Sequence, residues 1–280
     1  MSFTGKALLA GVMGWPVGHS RSPRLHNFWL RQLGIDGVYV PLPVRPEDLA
    51  LVLKALPRMG FRGVNLTIPH KEAALALVDR LSPAAKAIGA VNTIKVEDGG
   101  SLFGDCTDGY GFLANLQENA PGWKAASGPA VMVGAGGAAA AIGWSLLEAG
   151  LPELRIVNRT LEKADRLARH LGPRCRAMAW EDRAKALDSA SLLVNATSLG
   201  MEGQPALDLD LAPLPLGAVV ADIVYAPLET PLLAKARARG NPAVDGLGML
   251  LHQAVPGFES WFGQRPSVTA ELRAHVLGSG

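Results

Sequence analysis

Two hydrophobic patterns alternate along the chain. Short runs of branched apolar residues bounded by Gly or Pro, such as residues 7–13 and 37–44, predict strands. The segment between them, residues 22–33, instead carries apolar residues at helical spacing. Such alternation is typical of βαβ units around a mostly parallel sheet. An α/β fold is therefore expected.

The first hundred residues contain several further elements of this kind. Ser22 is a candidate helix N-cap because a proline follows it at the first helical position. A second helix is predicted over residues 46–60 and a third strand over residues 61–68. Pro69 is then expected to start a third helix, which includes residues 71–81.

A second βα series begins near residue 129, after a loop over residues 119–128. The predicted strands are residues 130–134, 154–158, 175–179, 191–196 and 218–225. The predicted helices are residues 137–149, 160–171 and one from about residue 181. This series is long enough for a doubly wound domain of the Rossmann type.

The end of the chain, from Gly246, has helical periodicity and supplies no strand. A helical tail of this kind must pack on another element, and we expect it to return to the first domain. The predicted organisation is a discontinuous domain of residues 1–107 and 247–280, with a second domain of residues 108–246.

Composition narrows the function classes. The 280 residues are 49% hydrophobic and 19% charged, with a formal net charge of +2, so the basic stripe of a nucleic-acid-binding protein is not expected. Cys106 and Cys175 lack metal-ligand spacing, which favours a reducing compartment and no metal site. The apolar run at residues 7–15 is typical of a strand rather than a signal peptide, and no stretch approaches the ~20 residues of a membrane span. A cytoplasmic protein without membrane or nucleic-acid partners is expected.

A turn rich in small residues lies between a predicted strand and a predicted helix. Small side chains there let backbone N–H groups approach a pyrophosphate at the helix N-terminus, and Ala139 permits close packing of the helix on the strand. The residues expected against the cofactor are Gly134, Ala135, Gly136, Gly137 and Ala138. This pattern predicts a dinucleotide site, and the alternative is a tight βα turn without a ligand.

The end of the next strand favours one dinucleotide over the other. An NAD site usually has an acidic residue there, whereas this chain has Asn158, Arg159 and Thr160. Arg159 can stack on adenine and pair with a 2′-phosphate, and Lys163 can add a second cation one turn later. Glu162 falls inside the helix. NADP is therefore favoured over NAD, and the alternative for Arg159 is a solvated surface cation.

Polar residues at strand ends in the first domain suggest the reacting site. Asn65, Thr67 and Lys71 follow one strand. A lysine in the first turn of a helix faces the positive end of the dipole, which favours the neutral amine and lowers the pKa towards a range suited to proton transfer. A surface lysine packed along the strand is the alternative.

Further polar residues can complete this site. Asp108 is a natural N-cap, and its carboxylate can also orient the ammonium group of Lys71. A Lys–Asp pair with a nicotinamide cofactor is typical of hydride transfer to a carbonyl, with proton delivery to the oxygen. Other candidates at strand ends and loops are Asn92, Asn195, Thr197, Ser198, Tyr225, Pro227, Gly246, Gly248 and Gln253.

From about residue 8 to its end, the chain resembles the shikimate dehydrogenase family. Nine motifs in order carry the resemblance: GWPVGHSRSPRLHN, NLTIPHK, GAVNT, GDCTDG, GAGGAA, NRT, NATSLGM, DIVYAPLETPLL and DGLGMLLHQA. The resemblance implies an N-terminal α/β substrate domain, a Rossmann NADP-binding domain and C-terminal helices that return to the first domain. It also implies the NADPH-dependent reduction of 3-dehydroshikimate to shikimate, a step towards chorismate and the aromatic amino acids.

The resemblance assigns roles to individual residues. The implied substrate contacts, carboxylate first and ring hydroxyls after, are Ser20, Ser22, Tyr225, Thr67, Asn92, Asp108 and Gln253. Lys71 and Asp108 are the implied catalytic pair. The implied NADP contacts are Gly134, Gly136, Gly137, Asn158, Arg159, Thr160, Lys163, Gly246 and Met249, and Thr197 lies on the nicotinamide side.

One residue departs from the family pattern, and three rival functions stay open. Cys106 stands where the family usually has Asn, and we expect a small effect because Asp108 is kept. The rivals are an NAD-using quinate/shikimate dehydrogenase, a non-catalytic nucleotide-binding regulator, and a dehydrogenase acting on an aminated shikimate analogue. An acidic residue in place of Thr160 would favour the first, and retention of Lys71 argues against the second. A monomer or homodimer is expected.

Overall fold

The structure is a computed structural model of the chain, and it describes residues 3–278. Two compact units are found among these residues: residues up to 107 together with those from 253, and residues 108–252. The chain therefore leaves the first unit and later returns to it. The return falls after residue 252 rather than after residue 246, so the short helix in between belongs to the second unit.

Strands and helices alternate along most of the described chain. The strands are β1 Leu8–Gly14, β2 Gly37–Pro43, β3 Phe61–Leu66, β4 Arg80–Leu81, β5 Thr93–Val96, β6 Leu102–Asp105, β7 Ala130–Val133, β8 Leu154–Val157, β9 Cys175–Met178, β10 Leu192–Asn195, β11 Val219–Asp222 and β12 Ala243–Val244. The α-helices are α1 Ser22–Gln32, α2 Leu49–Ala55, α3 Pro83–Ile88, α4 Asp108–Asn119, α5 Gly137–Glu148, α6 Leu161–Leu171, α7 Arg183–Ala186, α8 Pro231–Arg239, α9 Leu247–His252, α10 Ala254–Phe262 and α11 Ala270–Leu277. Short 3₁₀ helices lie at Pro46–Asp48, Pro57–Met59, Ala73–Ala76, Ala125–Ser127 and Trp180–Asp182.

The first unit is built on a mixed six-stranded sheet in the order β2-β1-β3-β5-β6-β4. β1 pairs in parallel with β2 and β3, while β5 runs antiparallel to both β3 and β6. The carboxyl ends of β1 and β3 therefore meet at one edge of the sheet, where ligands bind in open α/β sheets.

An aromatic cluster joins the C-terminal helix α10 to the sheet and to α1. The ring of His26 stacks on Tyr39 with centroids 4.0 Å apart, and the rings of Trp29, Phe258 and Trp261 surround it. All five side chains are at most 3% exposed. The apolar face of the tail is thus buried in the first unit, as its helical periodicity requires.

The second unit is a parallel six-stranded sheet in the order β12-β11-β10-β7-β8-β9. Counted from β7 as the first strand, this is the order 6-5-4-1-2-3, which is the doubly wound arrangement of dinucleotide-binding domains. The predicted α/β fold with a Rossmann-type domain is confirmed.

Two local predictions are wrong. Ser22 is the first residue of α1 and not its N-cap; Arg21 takes the cap position, with no side-chain hydrogen bond to the helix. The α-helix predicted over residues 71–81 is absent from this described segment, which has only a 3₁₀ helix followed by β4. The backbone N–H of Asp79 instead donates to the carbonyl of Leu102, so strand pairing overrides the helix propensity of the Ala- and Leu-rich sequence.

No helix within residues 3–278 combines the length and the apolar character that a membrane crossing requires.

Candidate functional site

In the first unit, hydroxyl groups follow the adjacent ends of β1 and β3. The N–H of Thr67 donates to the carbonyl of Met13 over 2.9 Å, which holds Thr67 against the end of β1. Ser20 and Ser22 lie in the turn between β1 and α1, where the N–H of Ser22 donates to Ser20 Oγ over 3.3 Å. The turn thus fixes the two serines relative to one another.

The arginine between these serines has a different environment. Arg21 Nη1 donates to the carbonyl of Val276, in α11, over 3.4 Å. This contact directs the guanidinium towards the C-terminal helix.

Lys71 lies in a turn that its backbone helps to close. The N–H of Val91 donates to the carbonyl of Lys71 over 2.8 Å, and the N–H of His70 donates to the carbonyl of Thr67 over 2.9 Å. The ring of His70 is buried and its Nε2 lies 2.8 Å from the carbonyl of Val44. Because no α-helix begins here, the helix-dipole argument for a lowered pKa of Lys71 loses its physical basis.

The amide of Asn92 is the centre of a buried hydrogen-bond network. Asn92 Oδ1 accepts from the N–H and the hydroxyl of Thr107 over 2.9 and 3.2 Å, and from the hydroxyl of Thr93 over 2.9 Å. Asn92 Nδ2 donates to Gln253 Oε1 over 3.3 Å. The structure therefore brings together Asn92 and Gln253, two of the predicted substrate residues, and fixes the amide orientation of Asn92.

The network extends to residues to which the sequence assigned no such role. Tyr39 Oη donates to Asn65 Oδ1 over 2.6 Å, and Asn65 Nδ2 donates to Thr93 Oγ1 over 3.0 Å. Burial raises the pKa of Tyr39 well above its usual value, so the phenol is neutral. The alternation along β2 places Tyr39 on the buried face, but its partner on another strand could be found only in the fold.

Cys106 lies in a turn that a neighbouring carboxylate braces. Asp105 Oδ1 accepts from the N–H of Cys106 over 2.7 Å and also from the hydroxyl of Ser82. The side chain of Cys106 is itself buried. The bracing expected from an Asn at this position is thus partly supplied by Asp105.

In the second unit, the glycine turn after β7 opens onto free space. Gly134 has a φ of +115°, and a Cβ there would lie 2.8 Å from the carbonyl oxygen of Ala196, so a side chain is excluded. A Cβ on Gly136 or Gly137 would instead meet no atom within 4 Å. Gly136 is the N-cap of α5 and supplies no side-chain cap, which leaves first-turn N–H groups facing this space. These features fit a dinucleotide pyrophosphate.

The residues after β8 form an exposed, basic group beside this turn. Arg159, Thr160 and Lys163 are exposed at the start of α6, and Asn158 Nδ2 donates to the carbonyl of Thr160 over 2.9 Å. No acidic residue occupies the end of β8. Arg159 lies just after the strand end, while Lys163 and the carboxylate of Glu162 are both exposed in the first turn of α6. A cation in place of a carboxylate after the strand suits a 2′-phosphate better than a ribose 2′-hydroxyl.

The carboxyl ends of β10 and β11 carry further predicted cofactor and substrate residues. Asn195 Oδ1 accepts from the N–H and the hydroxyl of Thr197 over 3.1 and 2.7 Å, which fixes the Thr197 side chain. The N–H of Gly246 donates to the carbonyl of Val224 over 3.2 Å, so the turn before α9 lies against the loop that contains Tyr225. Met249 follows in α9. Thr197, Tyr225, Gly246 and Met249 thus stand on neighbouring strand ends and loops of one unit.

Asp108 is the first residue of α4 and the acidic residue of its first turn. A carboxylate in the first turn interacts favourably with the positive end of the helix dipole.

A doubly wound sheet with an open glycine turn, in a chain whose other unit holds a buried polar network, is typical of the class of nucleotide-dependent oxidoreductases. Comparisons with known proteins support an oxidoreductase of this class. Residues 12–94 match the family model for the shikimate dehydrogenase substrate-binding domain. Residues 116–201 match the model for shikimate/quinate 5-dehydrogenase, and residues 246–274 match the C-terminal domain of shikimate 5′-dehydrogenase.

Individual relatives give the same result. The chain is 61% identical over 274 residues to a shikimate dehydrogenase (NADP⁺) of Paramagnetospirillum magneticum, covering 98% of this chain and 99% of that one. It is 41% identical, with a TM-score of 0.84, to the crystal structure of shikimate 5-dehydrogenase from Thermus thermophilus in complex with NADP(H) and shikimate, over 96% and 98% of the two chains. A quinate dehydrogenase from Corynebacterium glutamicum in complex with NAD is similar at 32% identity and a TM-score of 0.90, over 97% and 99% of the two chains. The chain belongs to the shikimate dehydrogenase family.

Proposed function

We propose that this protein is an NADP-dependent shikimate dehydrogenase, which reversibly reduces 3-dehydroshikimate to shikimate. The observation that carries the proposal is the combination of the buried Asn92 network with the basic group beside the glycine turn. Relatives of the same family at up to 61% identity over nearly the full length are named shikimate dehydrogenase (NADP⁺). This step supplies the pathway to chorismate and the aromatic amino acids.

In this proposal, the first unit binds the substrate. Ser20 and Ser22 grip the carboxylate, assisted by Tyr225, because two hydroxyls held in one turn can both donate to a single carboxylate. Thr67, Asn92 and Gln253 bind ring hydroxyls. The Asn92–Gln253 hydrogen bond supports this role because it presets the donor and acceptor atoms that meet the substrate.

Lys71 and Asp108 are the proposed catalytic residues. Lys71 delivers a proton from Nζ to the carbonyl oxygen during reduction and takes it back during oxidation. Asp108 binds a ring hydroxyl and favours the ammonium form of the lysine.

The proposed cofactor contacts belong to the second unit. The glycine turn and the basic group after β8 would hold NADP, and Thr197, Gly246 and Met249 would line its nicotinamide end. When bound, the cofactor supplies the hydride. The proposed domain limits, residues 1–107 and 253–280 for the substrate domain and residues 108–252 for the cofactor domain, follow the two compact units.

Quinate with NAD is the second candidate, because the similar quinate dehydrogenase structure contains NAD. Absorbance at 340 nm with four combinations, shikimate or quinate with NADP⁺ or NAD⁺, tests both functions. We expect shikimate with NADP⁺ to give a kcat/KM higher by orders of magnitude than any combination containing quinate or NAD⁺. Equal rates with quinate and NAD⁺ would contradict the proposal.

The same assay addresses the other rivals. A purified protein that binds NADPH but oxidises neither substrate would be a nucleotide-binding regulator. Turnover of an aminated shikimate analogue in preference to shikimate would point to the third rival. The proposed partner is the small-molecule substrate, and analytical ultracentrifugation would decide between a monomer and a homodimer.

A further inference from the structure

A buried carboxylate at the end of β11 joins three segments of the second unit. Asp222 is 2% exposed. Its Oδ1 accepts from Asn195 Nδ2 and from the N–H of Val224, each over 3.0 Å, and its Oδ2 accepts from the hydroxyl of Thr230 over 2.8 Å. Both carboxylate oxygens therefore act as acceptors for neutral donors.

The hydrogen bond from Asn195 Nδ2 to Asp222 Oδ1 determines the orientation of the Asn195 amide. Asn195 Nδ2 donates both to Asp222 and to the carbonyl of Leu199, over 3.0 Å each. The amide oxygen must then face the opposite side, where it accepts from the N–H and the hydroxyl of Thr197. Asp222 thus sets the position of Thr197 through one intervening amide.

The hydrogen bonds from Val224 and Thr230 to Asp222 anchor the loop that contains Tyr225. The N–H of Val224 is held at the start of this loop, and Thr230 is held at its end. Thr230 is also the N-cap of α8, because its hydroxyl accepts from the N–H of Leu233 over 3.3 Å. The loop between these points is therefore anchored to the same carboxylate as Thr197.

We propose that Asp222 is a positioning residue, which holds Thr197 for the cofactor and Tyr225 for the substrate carboxylate in one fixed arrangement. The inference rests on the proposed function for the identity of the two ligands. It goes beyond that function by assigning a coupled role to a residue that touches neither ligand. Loss of the carboxylate would release both loops at once.

The chemistry of the position supports an acceptor role rather than a need for charge. Burial raises the pKa of Asp222, while the bonds from Val224, Thr230 and Asn195 act in the opposite direction. An Asn here could keep its oxygen towards Asn195 and Val224, the two bonds that set Thr197 and the start of the Tyr225 loop. Its Nδ2 would face the hydroxyl of Thr230, which already accepts from Leu233 and would have to turn its proton to another acceptor. Asp222→Asn is therefore expected to keep the arrangement, whereas Asp222→Ala removes it.

The test compares the two variants by the Kd for NADPH, measured by fluorescence titration, and by the KM for shikimate. We expect Asp222→Ala to raise both on the order of ten-fold, the equivalent of one lost hydrogen bond to a charged group. Asp222→Asn should restore both to within about two-fold of the wild type, since the acceptor geometry is kept. Thr269→Ala, which removes the N-cap bond of α11 in the first unit, is the matched control for stability and should change neither value.

A second variant tests the link from Asp222 to Thr197, here called the cofactor branch, separately from its bonds to the Tyr225 loop. It also replaces Asp222→Ala if that protein does not fold. Asn195→Ala removes the contacts to Thr197 and to the carbonyl of Leu199, and it leaves the bonds of Asp222 to Val224 and Thr230 in place. We therefore expect a raised Kd for NADPH and an unchanged KM for shikimate. Values of Kd and KM within two-fold of the wild type in Asp222→Ala would overturn the inference, as would equal effects on both values in Asn195→Ala. The Kd for NADPH does not depend on turnover, so an inactive wild type would refute the proposed function and leave the cofactor branch tested.

Discussion

The two units prepare their candidate sites in opposite ways. In the first unit, the amide of Asn92 is 2% exposed and bonded through both of its polar atoms before any ligand arrives. In the second unit, the turn at Gly136 and Gly137 offers bare backbone and open space. Side chains that are fixed by a buried network can distinguish one ring hydroxyl from another, whereas bare N–H groups at a helix start suit any pyrophosphate. Substrate specificity is therefore expected to depend on side chains of the first unit.

Removing the proton donor should give the largest effect. Lys71→Ala is expected to lower kcat by about 10²- to 10⁴-fold, because general acid–base catalysis is lost, while KM for shikimate changes far less. Steady-state rates at 340 nm measure both values. Lys86→Ala, an exposed lysine of α3, is the control. Near-normal turnover in Lys71→Ala would show that another group carries the proton.

A methyl group added at Gly136, in the open glycine turn, should weaken NADP⁺ binding without lowering the stability of the fold. Gly136→Ala is expected to weaken NADP⁺ binding by roughly ten-fold or more, because its Cβ would occupy the space of the pyrophosphate. The free energy of unfolding should change by less than about 1 kcal/mol, since poorer N-capping and lower unfolded-state entropy oppose one another. Calorimetric titration and urea denaturation measure the two quantities. Unchanged NADP⁺ affinity would contradict the placement of the cofactor.

Truncation of Asn92 in the buried network should lower both the stability of the protein and its affinity for shikimate. Asn92→Ala leaves the N–H of Thr107 without its acceptor, so the free energy of unfolding should fall by about 1–3 kcal/mol. KM for shikimate should also rise. Asn119→Ala, at the exposed end of α4, is the matched control. If Asn92→Ala were as stable as this control, the network would not be the support that distinguishes the first unit.

The buried ring of His26 should make the stability of the protein depend on pH. Burial lowers the pKa of His26 to about 3, from 6.5. The unfolded chain therefore binds a proton below pH 6.5 that the folded chain does not. Stability should be unaffected by this group above pH 6.5 and should fall by up to about 1.4 kcal/mol per pH unit as the pH drops from 6.5 towards 3.

His26→Leu should reduce this slope, as measured by urea denaturation between pH 4 and 7. His275→Leu, an exposed position in α11, should keep it. Equal slopes in wild type and His26→Leu would show that another group controls acid unfolding.

Five of the six strands of the second unit were predictable from sequence, since most of them are buried apolar runs. Neither β12 nor α8 was predicted. The first unit was less predictable. Residues 71–81 consist of strong helix formers, but pairing with β6 decides their structure. The signals of α3 were present, with Ser82 as a side-chain cap, Pro83 in the first turn and Gly89 as the left-handed stop, although the helix was not predicted.

The candidate site also contains some residues that the sequence could indicate and others that it could not. The candidate ligand contacts were chosen from motifs at strand ends, and their contacts with ligands stay a prediction. The supporting residues could not be predicted, because Tyr39 and Asn65, or Asp222 and Thr230, meet only through the sheet and the loops around it. A buried Asp in an apolar strand was the available signal for the second pair.

The hydrogen bond between the hydroxyl of Thr107 and the carbonyl of Gln253, over 2.8 Å, has an architectural consequence. These are the last residue before the second unit and the first residue after it. The two segments of the first unit are therefore hydrogen-bonded to each other where they end and begin. The 145 residues in between form an insertion whose two ends are attached at neighbouring positions of the first unit. All six strands of the first sheet precede this insertion, so the second unit is inserted into the chain without interrupting that sheet.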